Sequence, residues 1–241
     1  MGDKGARMAR KPIMMRLAKW HIWLGWLIGV PLLMWTLTGL VMVARPIDQV
    51  RGEHLRAEVT ERALPPQLAL PAIPDGQPRP VEITIRYGDS GPVALARFAD
   101  GSLRRFSAEN GALLPELSAS DARAVLAGRI VTDSPLKELR KFDADEPPFD
   151  FRRPVDVWRG EYEDGTRVYI GRQSGAVEAV RTPFWRLFDF MWGLHIMDLQ
   201  TREDTSHPIL IAFAALSLIG SLVGCVLLLR RRKARIKVPR G

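Results

Sequence analysis

Two apolar runs near the ends of the chain constrain its architecture more than any other feature. The first covers residues 20–44 and the second covers residues 207–229. A helix of about 20 apolar residues is long enough to cross a hydrocarbon core that is roughly 30 Å thick. The sequence therefore predicts two transmembrane helices, with the folded part of the chain between them.

Basic residues flank both runs on the sides that face away from the middle of the chain. Residues 1–19 have a net charge of +5 and residues 230–241 have a net charge of +7. Because the whole chain has a net charge of +8, the part between these two arms has a net charge of −4. Lys and Arg are enriched in cytoplasmic segments beside membrane spans. This rule predicts a two-pass protein of a bacterial inner membrane, with both termini cytoplasmic and the central domain periplasmic.

The first apolar run is too long for the apolar core of a signal peptide, and residues 43–46 (VARP) are a poor cleavage site. We therefore expect the run to be retained as an anchor. The basic residues lie beside membrane spans, so we expect them to contact anionic headgroups of the lipid bilayer rather than nucleic acid. The single cysteine, Cys225, lies inside the second run, and the central domain is therefore expected to fold without a disulfide.

The central part of the chain divides into a proline-rich connector at residues 45–80 and a domain at residues 81–183. Alternating apolar and polar residues predict several strands of that domain. These strands cover residues 81–85, 93–98, 103–106, 156–162, 166–170 and 176–180. Residues 136–142 fit either a strand or a helix.

Turn and capping residues complete this pattern. The pairs Asp100-Gly101 and Asp164-Gly165 predict tight hairpin turns, and the sequence before residues 122–127 predicts the cap of a short helix. The predicted fold class is α+β: a periplasmic domain of two small antiparallel sheet plus helix units, anchored by two transmembrane α-helices.

Residues 184–206 form an amphipathic segment before the second span. At helical spacing, Phe188, Trp192, His195 and Leu199 share one face. This face either lies in the interface of the outer leaflet or packs against a span.

The central domain carries no sequence motif of an enzyme. Residues 45–183 contain no metal-ligand cluster, phosphate-binding loop or Ser/His/Asp arrangement. We interpret their scattered acids as solvated surface, and we assign no catalytic residue.

Four segments of the chain resemble PepSY proteins. Residues 158–170 (WRGEYEDGTRVYI), followed by SGAV, resemble the strand and turn pattern of the PepSY domain. Residues 19–25 (KWHIWLG) and 37–40 (LTGL) resemble the first helix of PepSY-associated transmembrane proteins. Residues 188–198 (FDFMWGLHIMD) resemble the segment before a later helix of that family.

The resemblance implies two functions. The family includes siderophore-iron reductases of the bacterial inner membrane, which have four core spans and bind b-type haem through membrane histidines. It therefore implies a redox or accessory role in iron acquisition, although this chain has half that number of spans. Other PepSY proteins modulate proteases or assemble with partners. The alternative is a non-enzymatic membrane adaptor or regulator whose periplasmic domain binds a partner protein, and the sequence leaves open whether the protein is an enzyme.

Three histidines are the candidate cofactor-binding residues: His21, His195 and His207. Imidazole is the usual ligand of b-type haem, and an ionisable residue near a membrane core indicates a functional site. The alternative is that His21 and His207 are polar anchors at the membrane interface. His54 is expected at the surface.

The two membrane faces separate the candidate ligands. His21 is expected at the cytoplasmic face and His195 at the outer face, so that one haem cannot join them. A homodimer would pair each histidine with its symmetry mate. The pairs Gly25/Gly29 and Gly220/Gly224 allow close helix packing, either between the two spans of one chain or between two copies.

Overall fold

The computed structural model describes residues 3–58, 62–88 and 91–235, with side chains from residue 15 to residue 229 in these ranges. It divides the chain into two compact units. We call Met1–Arg45 with Leu187–Gly241 the helix unit, and Pro46–Arg186 the sheet unit.

Two long helices dominate the helix unit. Helix α1 covers Asp3–Met42, so it includes most of the basic arm as well as the first apolar run. Helix α5 covers Pro208–Arg235. Within them, Met15–Met42 and Pro208–Leu229 have the length and composition of membrane spans.

Helices α1 and α5 pack against each other in antiparallel orientation. A Cβ atom built at Gly224 would lie 2.9 Å from His21 Cε1, and one built at Gly220 would lie 3.0 Å from Ile28 Cδ1. Residue numbers thus rise along one helix as they fall along the other. Gly220 and Gly224 therefore serve contact between the two spans of one chain, which is one of the two roles expected for them.

The sheet unit contains two antiparallel sheets, as predicted. The first has the order β1-β2-β3 and the second has the order β4-β5-β6-β7. The strands are β1 (Glu82–Gly88), β2 (Gly91–Arg97), β3 (Leu103–Ser107), β4 (Leu136–Phe142), β5 (Val157–Tyr162), β6 (Arg167–Gly171) and β7 (Val177–Arg181). The segment that fitted either state, residues 136–142, is therefore a strand.

The predicted turn at Asp164-Gly165 joins β5 to β6. Gly165 has a φ angle of +80°, a conformation that costs side-chain-bearing residues free energy. The Asp164 carboxylate accepts hydrogen bonds from the Thr166 N–H at 2.8 Å and from the Thr166 hydroxyl at 3.0 Å. These bonds fix the hairpin of the four-stranded sheet.

Short helices precede and follow the first sheet. Helix α2 covers Ile47–Val50 and a 3₁₀ turn covers Glu53–Leu55. Helix α3 covers Ala119–Arg129 and begins at the predicted cap, where Ser118 and Asp121 form a capping box. Apolar residues of α3 enter a core formed with β5, β6 and β7, with members such as Val125, Leu126, Val168, Ile170 and Val180.

The three-stranded sheet has its own apolar cluster. Ala94, Ala96 and Phe106 are buried there, and Ile73 of the predicted connector packs against them. Ala69 N–H donates to the Ala108 carbonyl at 2.8 Å. The proline-rich stretch therefore lies along this sheet as part of the fold.

Helix α4 covers Pro183–His195. The predicted amphipathic segment is thus helical in its first half only. Leu199 lies beyond the last helical turn, so the prediction that it shares a helical face with Phe188 and His195 is wrong.

Candidate functional site

His195 is the last residue of α4, and a defined helix end presents it. Asp198 N–H donates to the Gly193 carbonyl at 3.0 Å, and Met197 N–H donates to the Leu194 carbonyl at 3.2 Å. This pair of bonds is a Schellman motif. Its left-handed position is occupied by Met197, with φ +58°, where glycine is the usual residue.

Two acceptors on α1 hold one nitrogen of the His195 ring. Nδ1 lies 3.0 Å from Thr38 Oγ1 and 3.1 Å from the Trp35 carbonyl oxygen. Thr38 Oγ1 in turn lies 2.9 Å from the carbonyl oxygens of both Met34 and Trp35. A carbonyl oxygen can only accept, so the contact with Trp35 requires that His195 Nδ1 is the donor, and the Thr38 hydroxyl oxygen can accept from the same N–H. Nδ1 therefore carries the proton and Nε2 carries the lone pair.

The other residues around the His195 ring also belong to α1. We call the site formed by Trp35, Thr38 and Gly39 the His195 seat. The His195 ring stacks on Trp35, with centroids 4.6 Å apart and planes inclined by 21°. Gly39 leaves room for the ring, because a Cβ atom there would lie 3.2 Å from His195 Cε1. Thr38 is 2% exposed. Its hydroxyl is thus shielded from solvent, and its partners are the backbone carbonyls of Met34 and Trp35 and the His195 ring.

Sequence reasoning recognised residues 37–40 as part of a resemblance but did not assign a role to Thr38 or Gly39. A polar residue followed by glycine inside an apolar run is the feature that marks such a seat. Which side chain it receives depends on residues more than 150 positions later in the chain, and no local pattern contains that information.

The loop after His195 is organised around one carboxylate. Asp198 Oδ1 accepts from the N–H groups of Gln200 and Thr201, each at 3.1 Å. Asp198 Oδ2 accepts from the N–H groups of Glu203 and Asp204, each at 3.2 Å, and from the Thr201 hydroxyl. Asp198 is 5% exposed. One buried side chain therefore satisfies four backbone donors of an irregular segment.

An ion pair ties the same loop back to α4. Arg202 contacts Asp189, a buried residue of α4. The Trp192 indole N–H donates to the Arg202 carbonyl at 2.9 Å. Asp189 and Trp192 are three residues apart and share a face of the helix. The loop is thus fixed to that face.

His21 has a different environment from His195. Its ring lies against Gly224 of α5, with Nε2 at 3.4 Å from a Cβ built there. Its Nδ1 atom is enclosed and has no hydrogen-bond partner among the described residues. The neighbouring Trp20 and Trp23 are both exposed. His21 is therefore packed between the spans, but no hydrogen bond within the described ranges fixes its tautomer.

No contact in the described part of the chain joins His207 or His54 to the surroundings of His195 or His21. His207 lies directly before α5, and its Nδ1 is likewise enclosed without a partner in the described part of the chain. His54 lies in the exposed 3₁₀ turn of the sheet unit. Its expected surface position agrees with this placement.

Thr38, which contacts His195, and His21 lie far apart along α1. His21 and Thr38 are 17 residues apart on one continuous helix, which is roughly 25 Å at 1.5 Å per residue. His195, held on Thr38, and His21 are therefore too far apart to bind one haem together.

The donor chemistry of His195 fits an axial haem ligand. Metal-bound histidines generally donate their second ring N–H to a carbonyl or similar acceptor, and His195 does so through Nδ1. His21 and His207 lack such an acceptor among the described residues. No group of three or more His, Cys, Asp or Glu side chains suited to a metal ion occurs within the described ranges.

Buried charges in the sheet unit form structural pairs. Asp150 is 6% exposed, so its interpretation as solvated surface is wrong. It accepts from the Tyr169 hydroxyl at 2.5 Å and pairs with Arg167 at 3.2 Å. Burial, followed by the hydrogen bond to Asp150, raises the pKa of Tyr169 above its usual value. These contacts join the loop before β5 to β6.

Comparison with known families gives one match. A family model described as the PepSY-associated TM region matches residues 18–241. No curated protein and no solved structure matches the chain. The matched range includes all but the first three residues of the Met15–Met42 span, the whole second span, the sheet unit, His21 and His195.

Proposed function

Because the chain belongs to the family described as the PepSY-associated TM region, we propose that it is a two-pass inner-membrane protein with a redox or accessory role in iron acquisition. The family and the two apolar helices make it a membrane protein with a PepSY-type α+β domain. The proposal adds a haem b near the outer face, a periplasmic position of the sheet unit, and contact of that unit with a ferric siderophore or a partner protein.

The antiparallel packing of α1 and α5 supports the proposed topology. The contacts of Gly224 with His21 and of Gly220 with Ile28 bring the first residues of α1 and the last residues of α5 to one side of the helix pair. Those ends carry the +5 and +7 charges. The positive-inside rule then assigns that side to the cytoplasm.

The observation that carries the haem proposal is the protonated Nδ1 of His195. Trp35 and Thr38 accept from it, and this fixes the ring with the lone pair on Nε2, the atom that would bind the iron. Gly39 leaves the space that the ring occupies. Haem, when bound, supplies one-electron transfer. The residues of this chain would supply one ligand, His195, and would hold its ring in place.

One His195 provides one axial ligand, and a homodimer would supply the second. Pairing of His195 with its symmetry mate would give a bis-histidine site without His21, which lies roughly 25 Å away along α1. His21 with its own mate, and His207, are secondary candidates, because neither has an acceptor that would fix its ring.

The experiment is a reduced-minus-oxidised spectrum of the protein purified in detergent after expression with abundant haem. We expect a b-type Soret and α band. His195→Ala should remove the outer-face component, while His54→Ala should leave the spectrum unchanged. A colourless wild-type protein would contradict the haem proposal and favour the adaptor function.

Thr38 and Thr36 offer a matched pair of variants. Thr38→Val removes one of the two acceptors for His195 Nδ1 and leaves the Trp35 carbonyl. Loss of a hydrogen-bond partner of a metal ligand typically weakens metal binding about 10–100-fold, so we expect an effect at the lower end of that range. Thr36 is also on α1, but its hydroxyl donates only to the Leu32 carbonyl. Thr36→Val should therefore retain wild-type haem affinity. Equal haem retention by both variants would reject the assigned role of Thr38.

A further inference from the structure

In the loop between α4 and α5, four backbone N–H groups donate to one buried carboxylate, that of Asp198. In water, the N–H groups of a surface loop can be satisfied by solvent as well as by side chains. Inside a bilayer, irregular backbone is tolerated only where protein groups or a water-filled cavity satisfy it. The Asp198 cluster meets that requirement within the chain itself.

The depth of the His195 seat can be derived from α1. Lys19 and Arg45 bracket the uncharged run of α1, whose midpoint is residue 32. Thr38 lies six residues beyond that midpoint, which is about 9 Å along the axis, whereas half of the hydrocarbon core is about 15 Å. Tilting of the helix moves Thr38 closer to the midplane. Because His195 contacts Thr38, the end of α4 is held at the depth of the acyl chains.

Exposed apolar side chains lie around this helix end, and exposed polar ones begin at Gln200 and Thr201. Leu187 and Phe190 are each 44% exposed and lie on one side of α4, and Leu199 is 51% exposed in the loop. The charged groups at the same level are turned inward, where Arg202 pairs with Asp189. Exposed carboxylates first appear at Glu203. The surface thus changes from apolar to polar along the loop.

We propose that the end of α4 and the first part of the following loop, up to Leu199, are inserted into the lipid leaflet opposite the basic arms, and that Asp198 accepts from the N–H groups of residues 200–204 where the loop passes from lipid to water. The occupant of this surface is lipid, and Glu203 marks the level at which the loop returns to water. The inference rests on the two spans and not on haem.

Nitroxide labels test the depth directly. In a Cys225→Ala background, single cysteines at Leu199, Glu203 and Leu33 are labelled, and the protein is reconstituted into phosphatidylethanolamine and phosphatidylglycerol vesicles. Leu33 is 72% exposed near the middle of the first span and serves as the lipid reference. Power saturation with oxygen and with a water-soluble nickel chelate should place Leu199 with Leu33, and Glu203 on the aqueous side.

Each alternative outcome has a distinct meaning. A label at Leu199 that is as accessible to nickel as Glu203, while Leu33 remains in lipid, overturns this inference alone. Low accessibility of Leu199 to both reagents would show that a second copy or another protein covers the surface, and this also overturns it. A water-accessible Leu33 would reject the two-span arrangement together with the inference. None of these readings depends on haem.

A substitution of the carboxylate tests its role. Asp198→Ala leaves the loop N–H groups without their acceptor, so the Leu199 label should shift toward water and amide exchange at residues 200–204 should increase. Asp204→Ala is the matched control, because Asp204 accepts from a single N–H, that of Ser206 at 2.8 Å. Unchanged exchange and label depth in Asp198→Ala would show that the carboxylate does not have this role.

Discussion

The sheet unit and the helix unit place their important side chains by different means. In the sheet unit, each turn and cap is made by residues close together in sequence, such as Asp164 with Thr166 and Ser118 with Asp121. In the helix unit, the key contacts join distant residues, such as Thr38 with His195. Local patterns therefore specify the first region, whereas the second depends on the packing of separate helices.

Burial also differs between the two regions. The sheet unit has an apolar core in which Val168, Ile170 and Val180 are fully buried. The spans expose most of their large apolar side chains, including Trp26, Leu33 and Ile211. In a membrane, lipid replaces the protein core around such residues, so apolar character in the spans does not by itself indicate tight packing.

The largest expected effect compares the same substitution in both regions. Ile170→Ala creates a cavity in the sheet core, where such changes cost about 2–5 kcal/mol. Ile211→Ala removes a side chain that is 58% exposed on α5, and we expect a much smaller change in stability. Thermal unfolding of the full-length protein in detergent measures both. Equal losses would contradict the contrast between a protein-packed and a lipid-facing region.

The second prediction concerns the buried pair of Tyr169 and Asp150. Tyr169→Phe removes the hydroxyl that donates to Asp150 at 2.5 Å and leaves one carboxylate oxygen without that donor. Such a loss costs about 1–3 kcal/mol. Denaturant unfolding of the full-length protein checks the value. Tyr87→Phe is a control in the first sheet, and a loss as large as that in Tyr169→Phe would show that the effect is not specific to the pair.

The same pair predicts a pH dependence. The folded state raises the pKa of Tyr169, whereas an unfolded tyrosine ionises near pH 10, approximately its model value. Between those two values the unfolded state has lost its proton and the folded state has not, so stability falls as pH rises. The contribution is fully present below about pH 10. Melting temperatures measured from pH 8 to 11 should decline less steeply in Tyr169→Phe than in the wild type.

Much of the sheet unit was predictable, because its signals are local. The hairpin at Asp164-Gly165, the cap at Ser118 and the strand alternation each lie within a few residues. The ambiguous segment 136–142 became a strand only through its pairing with β5. The burial of Asp150 was also missed, because its partners Arg167 and Tyr169 lie 17 and 19 residues later.

The helix unit was predictable in its spans but not in its site. Apolar length and flanking charge identify α1 and α5. His195 was predicted as a cofactor ligand because imidazole is the usual ligand of b-type haem and the residue lies in an apolar segment near a span. The roles of Thr38 and Gly39 required the position of α4 against α1. The Asp198 cluster was missed because an aspartate in a polar segment normally indicates surface.

The next prediction tests whether local sequence determines a turn of the sheet unit. Gly165→Val places a β-branched residue at φ +80°, and the left-handed conformation costs an ordinary residue about 1–2 kcal/mol. Gly128 of α3 is the control, since no atom lies within 4 Å of a Cβ built there. Gly128→Ala should stabilise the protein by up to about 1 kcal/mol. Thermal shifts of the same sign in both variants would contradict the assigned turn geometry.

The smallest expected effect comes from a substitution at the end of α4. It tests whether the backbone conformation there contributes to the position of His195. Met197 occupies the left-handed position of the Schellman motif that ends α4. Met197→Gly should relieve about 1–2 kcal/mol of conformational strain, partly offset by the greater freedom of glycine in the unfolded chain. The net change should therefore be small, and it should leave the contact of His195 with Thr38 intact.

Met191→Gly is the matched control for this last variant. Met191 lies within α4, where glycine costs about 1 kcal/mol relative to good helix formers. Thermal unfolding of the two variants should therefore differ in direction, with Met197→Gly at or above the wild type and Met191→Gly below it. A loss of stability in Met197→Gly that equals the loss in Met191→Gly would show that the methionine side chain, and not the backbone conformation, determines the end of α4. In that case the position of His195 would depend only on side-chain packing and not on the backbone conformation at Met197.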